Sequence, residues 1–169
     1  MQSILFLFLV LTLLVSALRG RFALTVSHYT LHTEKLTESI RIVHISDLHN
    51  RSFGKDNRHL LAQVELQKPD LIFVTGDCVT RSRPERQISL DLLAALTEIA
   101  PVYVSMGNHE EAYDLRNGTD LYTLYTETGA RVLEKEYADI TLKGQSLRVG
   151  GIYGYCDPER TANPDDVFL

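Results

Sequence analysis

The sequence of 169 residues is poor in cysteine, lacks tryptophan and has no excess of basic charge. Its two cysteines, Cys78 and Cys156, allow at most one disulfide, so a disulfide-stabilised scaffold is excluded. The formal net charge is −5; residues 1–33 carry +2, which leaves −7 on residues 34–169. A protein that binds a nucleic-acid backbone needs a basic surface, and we therefore expect no nucleic-acid backbone binding.

Histidine is absent from the last sixty residues of the chain, although six histidines occur before that point. The composition, with 44% hydrophobic and 23% charged residues, is typical of a globular protein and excludes wholesale disorder. The length leaves room for one domain of ordinary size.

An apolar run occupies residues 4–18, interrupted only by Thr12 and Ser16. A helix of this length spans about 22 Å, less than the roughly 30 Å of a bilayer core. We predict that residues 1–21 form a single-pass membrane anchor that contacts the membrane through residues 4–18. Arg19 and Arg21 after the run favour a cytoplasmic position for the rest of the chain. A secretory signal cleaved after Ala17 and a buried core helix stay open as alternatives.

Alternating apolar residues predict a linker strand within residues 22–39, and a repeating pattern follows it. Short β-rich runs at 41–46, 70–75 and 102–105 each end in polar residues, and amphipathic helical patterns separate them. The second helix is predicted to begin at Ser82, where Ser82-x-x-Glu85 has the spacing of a capping box. Asp47 and Asp77 are 30 residues apart, the length of one βαβ unit. The sequence therefore predicts an α/β fold of βαβαβ units, preceded by one hydrophobic N-terminal helix.

Polar side chains follow each of the three runs. Because parallel strands share one carboxyl edge, these side chains should converge although they are distant in sequence. Carboxylate, amide and imidazole donors suit divalent Mn, Fe, Zn or Co, and a pair of such ions needs a shared carboxylate. A metal pair lowers the pKa of a bridging water, and a neighbouring histidine can protonate a leaving group. The candidate residues are Asp47, His49, Asp77, Asn108 and His109.

Farther along the chain, residues 119–128 predict a helix that ends at Gly129. Residues 140–142 and 147–149 then flank the turn sequence 143–146, which predicts a β-hairpin.

Three motifs, Asp47-x-His49, Gly76-Asp77 and Gly107-Asn108-His109-Glu110, resemble the calcineurin-like metallophosphoesterases. The resemblance covers residues 40 to 110 and implies the N-terminal half of that family's β-sandwich, flanked by helices. It implies two divalent metal ions, one held by Asp47 and His49 and the other by Asn108, with Asp77 bridging them. His109 would then lie against the leaving-group oxygen as the catalytic residue. Asn50 beside the first motif is a candidate for substrate binding.

The surrounding sequence resembles the membrane-anchored bacterial branch of the family, which includes enzymes similar to UDP-2,3-diacylglucosamine pyrophosphatases. That resemblance implies a phosphodiesterase or pyrophosphatase that acts on a lipid-linked or nucleotide phosphoester. The family completes its site with three later histidines, which this sequence lacks, so residues 40–169 are predicted to be a partial, C-terminally incomplete domain. Two alternatives stay open: a non-catalytic fragment that serves as an interaction module, and a secreted nucleotidase-type phosphomonoesterase.

Overall fold

A computed structural model of the chain describes residues 2–22 and 24–151. The described residues divide into two compact units, one within residues 1–30 and the other within residues 31–169. The first unit contains helix α1 (Gln2–Phe22), whose described side chains at 6–16 are exposed. Among the described residues, no helix is long and apolar enough to cross a bilayer, so the predicted transmembrane anchor at 4–18 is not supported.

The second unit is built on a four-stranded parallel sheet. Its strands β1 (Ile42–Ile45), β2 (Leu71–Thr75), β3 (Val102–Ser105) and β4 (Arg131–Val132) lie side by side in chain order. Ile45 pairs with Val74, and Val74 pairs with Val104, so the first three strands end at the same level. This register brings the three polar motifs to one edge of the sheet and confirms the predicted α/β fold.

Helices connect these parallel strands. A short 3₁₀ turn (Lys55–Asn57) leads into α2 (Arg58–Gln67), and α3 (Gln87–Thr97) packs against β3 through a buried apolar face. Between β3 and β4 lie α4 (Asn108–Asn117) and α5 (Leu121–Glu127). The side chain of Asp120 caps α5: it accepts from the Thr123 hydroxyl at 2.6 Å and from the Thr123 amide at 3.0 Å, and these two bonds lower the pKa of Asp120.

A hairpin forms a second β layer. Strands β5 (Glu136–Leu142) and β6 (Gln145–Gly151) are antiparallel, and Leu142 pairs with Gln145 across a two-residue turn. Both turn residues have positive φ, 51° at Lys143 and 75° at Gly144, as a type I′ turn requires. Leu133, Ala138 and Val149 form a buried cluster against Phe73 and Tyr103 of the parallel sheet. The predicted hairpin is confirmed, and it covers one face of the sheet.

Polar side chains of the hairpin turn fasten it to the segment before β1. Lys143 Nζ donates to the carbonyl of Ser39 at 2.9 Å and to Asp70 Oδ2 at 2.6 Å. Gln145 Oε1 accepts from the amides of Thr37 and Glu38 at 2.6 and 3.0 Å. We call this group of contacts the hairpin clamp. It lies at the amino end of β2, opposite the edge that carries the polar motifs.

Two local predictions differ from the structure. The described residues 24–33 form no strand, so the linker strand predicted within 22–39 is not confirmed there. Helix α3 begins at Gln87 and not at Ser82. Backbone atoms that an earlier start would use are bound elsewhere, because Tyr113 donates to the Pro84 carbonyl at 2.5 Å and Asn50 donates to the Glu85 carbonyl. Residues 152–169, the end of the predicted partial domain, lie outside the described residues.

Candidate functional site

The loop after β1 continues the hydrogen-bonding pattern of the sheet beyond the strands. The amides of Asp47, His49 and Asn50 donate to the carbonyls of Gly76, Asp77 and Cys78 at 3.2, 2.9 and 2.8 Å. To do so, Asp47, His49 and Asn50 adopt φ values of 57°, 49° and 59°. Left-handed backbone at non-glycine residues costs on the order of 1–3 kcal/mol each and clusters at functional sites. The strain here falls on candidate site residues, together with Asp77 at φ 54°.

The loops after β2 and β3 meet at two glycines. A Cβ atom at Gly76 would lie 2.6 Å from the Gly107 amide nitrogen, and a Cβ at Gly107 would lie 2.3 Å from Asp77 Oδ1. Both distances are shorter than any side chain tolerates without a backbone shift. Glycine at these positions therefore lets Asp77 reach the start of α4.

The Glu110 carboxylate also connects the loops after β2 and β3, because it binds backbone amides in both. Its side chain is fully buried, and it accepts from the amides of Asp77 at 2.8 Å, Cys78 at 2.7 Å and Gly107 at 3.0 Å. Tyr125 of α5 adds a hydroxyl donor at 3.3 Å. A buried carboxylate needs such donors to offset its desolvation. The sequence motif marked Glu110 without assigning it a role, and the structure makes it a positioning residue.

Burial also changes two neighbouring groups. The Cys78 thiol is buried, and burial, together with the negative charges of Glu110, Asp77 and Asp47, raises its pKa well above the ordinary value. Burial likewise raises the pKa of Tyr125 far above its ordinary range. Both groups therefore stay protonated at neutral pH, so Tyr125 remains a donor to Glu110.

Three of the predicted site residues converge. One donor atom each from His49, Asp77 and His109 lies within 4.8 Å of the other two. The rings of His49 and His109 have centroids 4.4 Å apart, and Asp47 Oδ1 lies 3.9 Å from His49 Nε2. Two imidazoles and carboxylates at this spacing are donors that fit a borderline divalent ion such as Zn, Mn, Fe or Co.

Asn108 is the fifth predicted residue, and its side-chain amide lies against Asp77. With its nitrogen toward Asp77, Asn108 donates to Oδ1 at 3.2 Å and to Oδ2 at 3.1 Å. With its oxygen on that side, only acceptors would face one another, an arrangement that a bound cation satisfies. Either orientation leaves Asn108 and Asp77 side by side, and the donor set fits a metal site.

Beside these residues lies an open cleft of about 430 Å³. Its lining includes Asp47, Asp77 and Asn108, together with Gly150 of the hairpin. The described residues thus place the candidate ligands at the wall of a space large enough for a small anionic ligand.

Two further contacts orient the catalytic candidate. The His109 amide donates to Asp77 Oδ1 at 3.0 Å, and the Arg81 amide donates to His109 Nδ1 at 3.4 Å. Asn50, the candidate for substrate binding, uses its side chain differently: it accepts from the Thr80 amide and donates to the Glu85 carbonyl. The substrate-binding role of Asn50 stays a prediction.

The sequence model of the calcineurin-like phosphoesterase family matches residues 40–167. An uncharacterized metallophosphoesterase of Aquifex aeolicus (strain VF5) is 31% identical over 123 residues, which cover 70% of this chain and 46% of the relative. The uncharacterized metallophosphoesterase YkoQ of Bacillus subtilis (strain 168) is 27% identical over 120 residues, 70% of this chain and 44% of YkoQ.

Among solved structures, phosphopantetheinyl hydrolase from Mycobacterium tuberculosis superposes with a TM-score of 0.46 and 22% identity, over 66% of this chain and 41% of that one. This chain spans less than half the length of the curated relatives that it matches. The family match extends over most of the sequence and contains all the residues gathered at the sheet edge. The chain belongs to the calcineurin-like phosphoesterase family.

Proposed function

We propose that this protein is a metal-dependent phosphoester hydrolase of the phosphodiesterase or pyrophosphatase type. The observation that carries the proposal is the convergence of donor atoms from His49, Asp77 and His109 within 4.8 Å beside an open cleft. Family membership supports hydrolysis of a phosphoester as the reaction. The number of ions, two in the proposal, rests on the resemblance of the motifs.

Metal ions, when bound, supply Lewis-acid polarisation of a phosphoryl oxygen. Asp47, His49, Asp77 and Asn108 would hold them. Asp77 Oδ1 accepts a hydrogen bond from the His109 amide, which fixes the backbone at His109. In the proposal, His109 gives a proton to the leaving-group oxygen.

Two exposed arginines favour an anionic substrate. Arg81 and Arg83 lie on the loop after β2, in a chain whose net charge is −5. Within the described part of the chain, neither guanidinium forms an ion pair with a carboxylate. Exposed basic side chains raise the local concentration of an anionic phosphoester and increase its rate of association.

The test is hydrolysis of bis(p-nitrophenyl) phosphate by the purified chain with and without Mn²⁺. Because the sequence lacks three histidines of the family's site, we expect slow hydrolysis that Mn²⁺ stimulates. Asp77→Ala should reduce this Mn²⁺-dependent rate by at least about 100-fold, the order of loss seen when a metal site or its supporting ligands are disrupted. The exposed Asp91→Ala on α3 is the matched control and should retain activity. Absence of any metal-dependent hydrolysis would contradict the proposal.

Calorimetric titration with Mn²⁺ separates this proposal from the non-catalytic alternative. An enzyme with an assembled site binds the ion, and Asp77→Ala abolishes that binding. An interaction module that retains only the fold binds no Mn²⁺ in either form.

The lipid-linked or nucleotide nature of the substrate and attachment to a membrane through residues 4–18 remain proposals that rest on the sequence. Flotation of the full chain with vesicles, compared with a form that lacks residues 1–21, tests the attachment. Equal flotation of the two forms would contradict it.

A further inference from the structure

The side chain of Asn50 joins two points on the segment that runs from β2 to α3. Its Oδ1 accepts from the Thr80 amide, and its Nδ2 donates to the Glu85 carbonyl. The Asn50 amide itself donates to Cys78 at 2.8 Å. One residue of the first loop thus holds the second loop at three positions. We call residues 80–85 the bridging segment.

The bridging segment has few other contacts that would define its path. It contains no helix or strand, and α3 begins only at Gln87. Within it, the amide of Arg83 donates to the Thr80 carbonyl at 3.0 Å, and Tyr113 binds the Pro84 carbonyl. The side chains from Arg81 to Glu85 are exposed. The hydrogen bonds of Asn50 therefore fix both ends of a segment that lacks a packed core of its own.

The bridging segment reaches the catalytic candidate through its backbone. The amide of Arg81, next to the residue that Asn50 holds, donates to His109 Nδ1 at 3.4 Å. This contact fixes the orientation of the His109 ring, because Nδ1 must face the Arg81 amide to accept its hydrogen bond.

We propose that Asn50 is a positioning residue that acts on His109 through the bridging segment. Asn50 holds Thr80 and Glu85 so that the Arg81 amide stays on His109 Nδ1 and fixes the orientation of the His109 ring. The catalytic consequence rests on the proposed function, because it requires His109 to deliver a proton to the leaving group. The positioning of the Arg81 amide against His109 rests only on the hydrogen bonds of Asn50 and Arg81.

The test replaces Asn50 by glycine, which tolerates the φ of 59° and removes only the side chain. We expect the Thr80 and Arg81 amides to exchange at least about tenfold faster with solvent, because local opening is then easier. In the ¹⁵N spectrum, the signal of His109 Nδ1 should shift, because this nitrogen loses its hydrogen bond from the Arg81 amide. Amides of β2 should keep their protection.

Asn57→Gly is the matched control. Asn57 also has left-handed backbone, φ 57°, and its Oδ1 accepts from the Phe53 amide at 2.9 Å, away from the bridging segment. This variant should leave the Arg81 amide and the His109 spectrum unchanged. If Asn50→Gly does not fold, Asn50→Asp retains the acceptor for Thr80 and loses the donor to Glu85, and it should give an intermediate change in both spectra.

Unchanged Arg81 exchange and an unchanged His109 spectrum in Asn50→Gly would overturn the proposal. In the Mn²⁺ assay, the same variant should lower kcat about tenfold and leave KM within about twofold, the pattern of a lost transition-state contribution. If the wild type itself hydrolyses no phosphoester, the proposed function fails, and the two spectroscopic measurements still decide whether Asn50 positions His109.

Discussion

The two ends of the parallel sheet are held together in different ways. At the carboxyl end, loops meet through backbone atoms, two closely opposed glycines and the buried Glu110. At the amino end, the hairpin clamp consists of partly exposed side chains, with Lys143 41% and Asp70 21% exposed. Buried backbone contacts leave no room for adjustment, whereas exposed polar contacts can be replaced by water. The difference predicts that equivalent substitutions cost much more at the carboxyl end.

The largest effect is expected from glycine substitutions. Gly107→Ala places a Cβ 2.7 Å from the Asp77 amide nitrogen, a backbone atom that cannot move freely, and should lower the free energy of unfolding by about 3 kcal/mol or more. In Gly144→Ala, the new Cβ in the hairpin turn meets no atom within 4 Å. The loss of stability then comes only from the strain of an alanine at a φ of 75°, about 1–2 kcal/mol. Urea denaturation of both variants measures the difference. Equal losses would refute the contrast between the two ends.

A smaller effect is expected from removing one carboxylate. Glu110→Gln exchanges an acceptor oxygen for an NH₂ group among backbone donors, and should cost about 2–4 kcal/mol. Glu136→Gln on the exposed first residue of β5 is the matched control, with a change within about 0.5 kcal/mol. Urea denaturation of both variants measures the two losses of stability. A Glu110→Gln variant as stable as its control would show that the buried carboxylate contributes little to the free energy of unfolding.

The smallest effect is expected at the hairpin clamp, where it depends on pH. Burial opposes ionisation of Asp70, but hydrogen bonds from Lys143 and the Arg41 amide outweigh it and lower the pKa of Asp70 below 3.8. Because the folded-state pKa is depressed, the stabilisation is present above pH 3.8 and disappears as the pH falls through the folded-state value.

Lys143→Met should therefore reduce stability by no more than about 1 kcal/mol at neutral pH. Thermal melts of the two proteins should converge in acid. A difference that persists unchanged below the pKa of Asp70 would mean that Lys143 acts through packing or through its hydrogen bond to the Ser39 carbonyl, and not through the ion pair.

The sequence predicted the parts of this molecule that depend on local pattern. The β-rich runs that became β1, β2 and β3, and the polar residues after them, followed from spacing and from the rule that parallel strands share an edge. The hairpin followed from the turn sequence 143–146, although the turn itself is shorter than predicted and consists of Lys143 and Gly144. These features can be predicted without knowing which residues that are distant in sequence are in contact.

The remaining features depend on distant contacts. Helix α4 was not predicted because few of its side chains are apolar; Tyr113 and Glu110 are its buried residues. Glu110 accepts from residues more than thirty positions earlier, and Asn50 holds residues thirty and thirty-five positions later. The start of α3 was misplaced for the same reason, since the capping-box spacing says nothing of the bonds that Tyr113 and Asn50 make.

The backbone hydrogen bonds between the loops after β1 and β2 affect which metal ions this site should select. These bonds hold together the two loops that contain His49 and Asp77, so the distance between the two side chains varies little. Calcium takes six to eight oxygen ligands in flexible arrangements, and magnesium likewise prefers oxygen. With the imidazole nitrogen of His49 among the proposed ligands, this edge of the sheet should favour the scarcer transition metals over the abundant hard cations.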